Sequence, residues 1–224
     1  ITKVLRLGQG DEIEICDKEK MDYRAAILSL SKDCVECTIV EKGASKAEAD
    51  IEIVLFQGIP KASKMDLIIQ KNVEIGVNRI VPFISKRCVV KIKDKKSEAK
   101  KTERWQKIAN EAAKQCKRGI LPEIENVVEI SALKNKFDDF DMVVIPYEEE
   151  KDSGLRRTLL IKEDIRKIGI MIGPEGGFDK EEISMVAEWG VIPVSLGPRI
   201  LRTETAGMVT SSIVMYELGD LGGK

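Results

Sequence analysis

Gly173-Pro174-Glu175-Gly176-Gly177-Phe178 follows an apolar run over 168–172, and Leu196-Gly197-Pro198-Arg199-Ile200-Leu201-Arg202-Thr203-Glu204-Thr205-Ala206 follows a second run over 191–196. Both runs have strand character, and both loops lead into helical patterns. Two such strand–loop–helix turns, close in sequence and rich in Gly and Pro, build a ligand crevice at the strand ends of an α/β protein. An isolated G-P-x-G-G reads equally well as a plain tight turn. A second loop carrying Arg202 and Glu204 tips the balance toward a site.

The loop chemistry limits the ligand. Glycine lets backbone approach a ligand closely, but Glu175 sets a carboxylate in mid-loop, which repels phosphate. Neither G-x-x-x-x-G-K-[ST] nor G-x-G-x-x-G occurs. A neutral or locally cationic ligand fits, such as the sulfonium of S-adenosylmethionine. The chain has no histidine, which excludes Ser-His triads and histidine acid/base chemistry within it.

The two loops together resemble the signature of the bacterial ribosomal RNA small subunit methyltransferase E family, within the SPOUT class. Lys3-Val4-Leu5-Arg6-Leu7 with Gly10-Asp11, Lys71-Asn72-Val73-Glu74-Ile75-Gly76-Val77, and Arg104-Trp105 with Glu111-Ala112-Ala113-Lys114-Gln115-Cys116-Lys117-Arg118 agree with it. Lys114, where an acid is usual, and 18–22, which lacks the usual Gly turn, depart from the pattern. The resemblance implies an α/β protein: a small N-terminal PUA-like β-barrel, RNA-binding, over 1–45, its first strand ahead of Ile1, and a SPOUT methyltransferase domain with a trefoil knot over 50–224. It implies methylation of N3 of a uridine in 16S rRNA of the small ribosomal subunit, a homodimer and a cytoplasmic setting.

On that reading Ile145, Pro146, Gly173, Pro174, Glu175, Gly176, Gly177, Leu196, Gly197, Ile200 and Leu201 line the S-adenosylmethionine pocket. Uracil N3 becomes nucleophilic only once its proton leaves, and the resulting charge sits on O2 and O4. Arg202, a fixed cation with forked donors, is the candidate to stabilise it. Glu204 and Glu175 are the carboxylates available to take the proton, and the sequence does not rank them. Glu175 has a further role open to it, complementing the sulfonium or holding the loop, and loop capping is open to both acids.

Composition sets outer bounds. The 224 residues are 43% hydrophobic and 33% charged, with a net charge of −1, so any nucleic-acid site is a local patch. No apolar run approaches the length of a membrane span. The five cysteines are scattered, an odd number suited to a reducing compartment. Cys34-x-x-Cys37 has no second pair, and all five read as plain buried thiols. No metal site is expected. Between 86 and 107 ten Lys or Arg face three acids, +7, so the remainder carries −8. That stretch reads as a cationic loop able to neutralise phosphates. Lys86, Arg87, Lys91, Lys93, Lys95, Lys96 and Arg104, with Arg6 and Arg118, are the RNA-binding candidates. Aromatics make up only 4%, too few for a stacking platform.

Along the chain, 4–7, 12–16, 23–29 and 35–40 read as short strands, and 43–50 as a boundary. Beyond it strands at 51–56, 79–84, 123–130, 141–147, 168–172 and 192–196 alternate with helices at 63–75, 102–116, after Ser131, 155–166, up to Trp189 and 205–218. This order implies a mostly parallel sheet covered on both faces. A small-metabolite nucleotide enzyme and a non-catalytic RNA-binding or ribosome-assembly protein of the same fold are the competing readings.

Overall fold

The computed structural model describes residues 6–90 and 94–223, and Lys95 by its backbone. The chain forms two units, Ile1–Glu48 with Lys117–Leu121, and Ala49–Cys116 with Pro122–Lys224.

In the first unit β1 (Glu12–Cys16), β2 (Met21–Leu30) and β3 (Val35–Ala44) form an antiparallel sheet in that order. Period-two alternation buries Ala25 and Ile27 and leaves Arg24 on the outer face to pair with Glu12 and Glu41. The β1–β2 turn lacks glycine, so Lys18 and Lys20 take positive φ. Asp17 holds them there, accepting from the N–H of Glu19 and Met21. Those bonds, that of Glu19 first, outweigh burial and keep its carboxyl below the usual range. Among the described residues this is an open three-stranded sheet. Of the strand expected at 4–7, Val4 and Leu5 lie outside the described residues, and Arg6 and Leu7 are not in a strand.

The second unit is a seven-stranded, wholly parallel sheet. Its strands are β4 (Glu52–Gly58), β5 (Arg79–Ile84), β6 (Glu123–Ile124), β7 (Val128–Glu129), β8 (Met142–Pro146), β9 (Lys167–Ile172) and β10 (Ile192–Val194). The order is β10-β8-β9-β4-β5-β6, with β7 also on β5. Its helices are α1 (Lys64–Ile75), α2 (Lys95–Gln115), α3 (Leu155–Leu159), α4 (Lys180–Glu188) and α5 (Thr203–Leu218). A sheet buried on both faces needs strands apolar at every position, and β4 shows how it is used. Ile53 and Leu55 pack with residues of α1, α2, α3 and α5, while Val54 and Phe56 pack with Leu133, Phe137 and Val186 on the other face.

Several boundaries differ from expectation. The strand at 123–130 is two short pairings, β6 and β7. The helix at 155–166 stops at Leu159. The helix after Ser131 is a 3-10 segment, Ile130–Asp139. The larger correction concerns the basic stretch: from Lys95 it is not a loop but the first turns of α2, capped by the Asp94 side chain on the Ser97 N–H at 2.8 Å. The lysines obscured this start because a charged face carries no apolar period. The expectation of buried thiols also needs correction, since Cys34 is exposed and Cys16, Cys37, Cys88 and Cys116 are only partly buried.

Candidate active site

Parallel strands bring their C-terminal ends to one edge of the sheet. There Gly58, Pro146, Ile172 and Val194 end β4, β8, β9 and β10. The loop after β9 turns tightly, with the Gly177 N–H on the Pro174 carbonyl at 2.9 Å. Gly177 has φ +65, a left-handed conformation that a side chain disfavours, and a Cβ there would lie 3.2 Å from a Glu148 carboxylate oxygen. Phe178 anchors the exit by stacking on Phe83, centroids 6.2 Å apart. Asp179 and Glu182 then form the expected capping box of α4.

The second loop, after β10, delivers Arg202 as the N-cap of α5. Its carbonyl accepts from the N–H of Thr205 and Ala206 at 2.9 and 2.8 Å. The next two residues fasten this loop to the first. The Thr203 hydroxyl donates to the Gly173 carbonyl at 2.5 Å and accepts from the buried Gln57 amide at 3.0 Å. The Lys64 ammonium lies 3.1 Å from Glu175 and 3.3 Å from Glu204. Both Glu175 oxygens also accept from the Lys61 N–H, at 3.1 and 3.2 Å. Gly58 completes the joint. A Cβ there would stand 2.7 Å from the Pro174 ring and 2.8 Å from its nitrogen.

These contacts separate the two carboxylates. Burial pushes the Glu175 carboxyl up, but backbone N–H bonds and Lys64 more than offset it and hold the group below the usual range. Glu175 ties its loop to Lys61 and Lys64. Glu204 is the more enclosed of the two and has one ion-pair partner. Arg202 is exposed, and its side chain has no ion pair or hydrogen bond among the described residues.

A cleft of about 550 Å³ opens beside this joint. Pro146 and Tyr147 with Glu148, Glu150 and Lys151 form one wall, Leu196, Gly197, Ile200 and Leu201 the other, and Ala206 lies against it. Pairing of Tyr147 N–H to Val194 and of Leu155 N–H to Ser195 holds the walls together. The cleft brings together only part of the expected pocket. Residues 173–177 do not line it, and Ile145 is wholly buried in the core. Gly176 instead meets Arg87, whose guanidinium donates to its carbonyl at 2.9 Å. Gln57, Gly58, Lys64, Glu148 and Thr203 were not singled out by sequence. A glutamine interrupting an apolar strand was the available signal for Gln57.

The cationic candidates disperse. Arg118 is corrected outright: it is buried in a two-pronged pair with Glu48 at 2.7 and 2.9 Å, so it is not presented to RNA. Arg104 is forked onto Asp66 at 2.7 and 2.8 Å. Lys86 pairs with Glu181 and Asp179, and these bonds, Glu181 first, raise its pKa. Lys96 lines a groove with Lys100, Lys101 and Arg104 at the start of α2. Arg6 is exposed. Lys91, Lys93 and the Lys95 side chain lie outside the described residues. The described residues hold no cluster of metal-ligating side chains.

Parallel sheet, strand-end cleft and paired loops define a class. Residues 47–215 match the RNA methyltransferase domain family. The chain is 37% identical, over its whole length and 88% of the relative's, to ribosomal RNA small subunit methyltransferase E of Bacillus subtilis, and 35% identical to that of a Buchnera aphidicola strain over 98% of this chain and 85% of the relative. Its fold matches that of the Neisseria gonorrhoeae enzyme of the same name bound to S-adenosyl methionine, with TM-score 0.84, 30% identity and coverage of 98% of this chain and 89% of that one. It also matches a Legionella pneumophila methyltransferase in complex with SAM, with TM-score 0.85, 32% identity and coverage of 99% and 89%. The chain belongs to the ribosomal RNA small subunit methyltransferase E family.

Proposed function

We propose that this protein uses S-adenosylmethionine to methylate N3 of a uridine in 16S rRNA of the small ribosomal subunit. The observation that carries the reading is the joining of the two loops by Thr203 and Lys64 beside the cleft, with an arginine at the head of α5 whose side chain has no partner among the described residues. The cleft suits the cofactor. Its volume falls in the range of small-molecule sites, its apolar lining from Pro146, Leu196, Ile200 and Leu201 suits an adenosyl group, and Glu148 and Glu150 suit a cationic ligand. When bound, the cofactor supplies an electrophilic methyl group. Arg202 stabilises the uracil anion at O2 or O4, and Glu204 takes or relays the N3 proton.

In this reading 1–45 is a PUA-like RNA-binding barrel and 50–224 a SPOUT domain with a trefoil knot. The first unit's antiparallel sheet and the second unit's strand order, in which β9 lies between the earlier β4 and β8, support that assignment. Lys96, Lys100 and Lys101 supply phosphate contacts. Exposed Ile200 (85%) and Tyr216 (65%) support a homodimer. Val214 and Met215 are buried in the core and so are not available to it. The rRNA substrate supports a cytoplasmic setting; no described helix is long and apolar enough to cross a membrane.

The test is methyl transfer from labelled cofactor to small subunits lacking the modification, with mass spectrometry of the nucleosides. 3-Methyluridine is expected. Label in another nucleoside overturns the atom assignment, and no label overturns the activity.

A further inference from the structure

We infer that Lys64 is a positioning residue for Arg202, acting through the ionic bridge Glu175–Lys64–Glu204. The inference rests on the catalytic reading of Arg202 above. Two carboxylates, one from the loop after β9 and one from the first turn of α5, converge on one ammonium at 3.1 and 3.3 Å. An ammonium has three donors and no acceptor, so it can serve both at once. Without it the two acids would repel, and the loop after β9 would be left to the Thr203 hydroxyl for its tie to α5. Lys64 itself is the first residue of α1, and Lys61, three residues earlier, gives its N–H to Glu175.

The bridge brackets the arginine. Thr203 is bound to Gly173 and Gln57 beneath it, and Glu204 to Lys64 beside it. Arg202 has no side-chain partner among the described residues, so its direction is set by the backbone that these two residues hold. The shift of Lys64 to a higher pKa, caused first by its bond to Glu175 and opposed by burial, accords with an ammonium that stays charged.

A double-mutant cycle tests this. Lys64→Met, Lys64→Arg, Arg202→Ala and the Lys64→Met/Arg202→Ala pair are compared in single-turnover methyl transfer, cofactor binding by calorimetry and cofactor-free hydrogen exchange of the 203–206 amides. Lys64→Met is expected to slow methyl transfer by about 10- to 100-fold, the cost of a small misplacement, with cofactor affinity little changed. Lys64→Arg restores most of the rate, because a guanidinium can also span two carboxylates. The double variant is no slower than Arg202→Ala alone, since coupled residues are not additive. The 203–206 amides exchange faster in Lys64→Met without cofactor. Multiplicative losses in the double variant, or wild-type exchange and rate in Lys64→Met, overturn the inference. If Lys64→Met does not fold, Glu175→Gln, which cuts the bridge at its other carboxylate and leaves the proposed proton acceptor in place, runs the same cycle and is judged by the same outcomes. Arg202→Ala at the wild-type rate would sink the reading of Arg202 together with this inference, whereas a slow Arg202→Ala beside a normal Lys64→Met would sink the role of Lys64 alone.

Discussion

The Thr203 hydroxyl donates to the Gly173 carbonyl at 2.5 Å, so the loop after β9 and the first residue of α5 are one hydrogen bond apart although 30 residues separate them in sequence. Gln57, at the end of β4, donates to the same hydroxyl. Two strand ends and the start of α5 thereby share one polar joint, and the account of catalysis depends on that joint being rigid.

Gly58 tests the joint from beneath. A methyl group there meets the backbone of Pro174 and Gly173 within about 3 Å, and backbone yields less readily than a flexible side chain. Gly58→Ala is expected to cost about 1 to 3 kcal/mol of stability, as overpacking does, and to slow methyl transfer more than tenfold by displacing the loop. Urea unfolding and single-turnover kinetics check the two effects. A variant as stable and as fast as the wild type would show the loop to be compliant.

The strand-and-helix order of the second unit was readable because each apolar run ends at a loop signal, and the capping box of α4 was readable from Asp179 and Glu182 alone. The joint was not. Lys64 lies in a polar helix start like many others, and only the fold brings it between Glu175 and Glu204. The start of α2 was hidden by lysines that carry no apolar period. Arg118 looked like a ligand for RNA because its partner, Glu48, is 70 residues away in sequence. A sequence shows charge but not how charges are paired.

Arg118 and Glu48 form the first unit's buried pair, with side chains 4% and 3% exposed. Removing one partner leaves the other charged and enclosed, which costs about 3 to 5 kcal/mol. Arg118→Ala is therefore expected to lower the denaturation midpoint strongly. At temperatures where it stays folded, the salt dependence of its RNA binding should match the wild type. A lowered salt slope with normal stability would restore Arg118 as a phosphate ligand.

Phosphate contact is assigned instead to α2. Replacing Lys96, Lys100 and Lys101 with Ala is expected to flatten log affinity against log salt by about two to three units if all three meet phosphate. Cofactor affinity stays unchanged, because these residues lie outside the cleft. Arg104→Ala is expected to change the slope less, since Asp66 already neutralises that guanidinium. An unaltered slope in the triple variant would mean a solvated helix face.

Glu175 gives a pH signature. Its folded pKa lies below the ordinary value despite burial, so its contribution to stability is complete above its unfolded pKa and is lost as pH falls through the folded one. The stability gap between wild type and Glu175→Gln should be constant near neutrality and narrow from about pH 5 downward. Urea titrations at a series of pH values measure it. A gap that widens on acidification would mean that the carboxyl is held protonated.

The most direct test of the central claim is single-turnover methyl transfer by Arg202→Ala on small ribosomal subunits, read beside its cofactor affinity. Loss of an anion-stabilising donor costs about two to three orders of magnitude in rate, with cofactor binding close to wild type and only partial recovery in Arg202→Lys. Full activity in Arg202→Ala, or a loss explained entirely by weaker cofactor binding, would contradict the account.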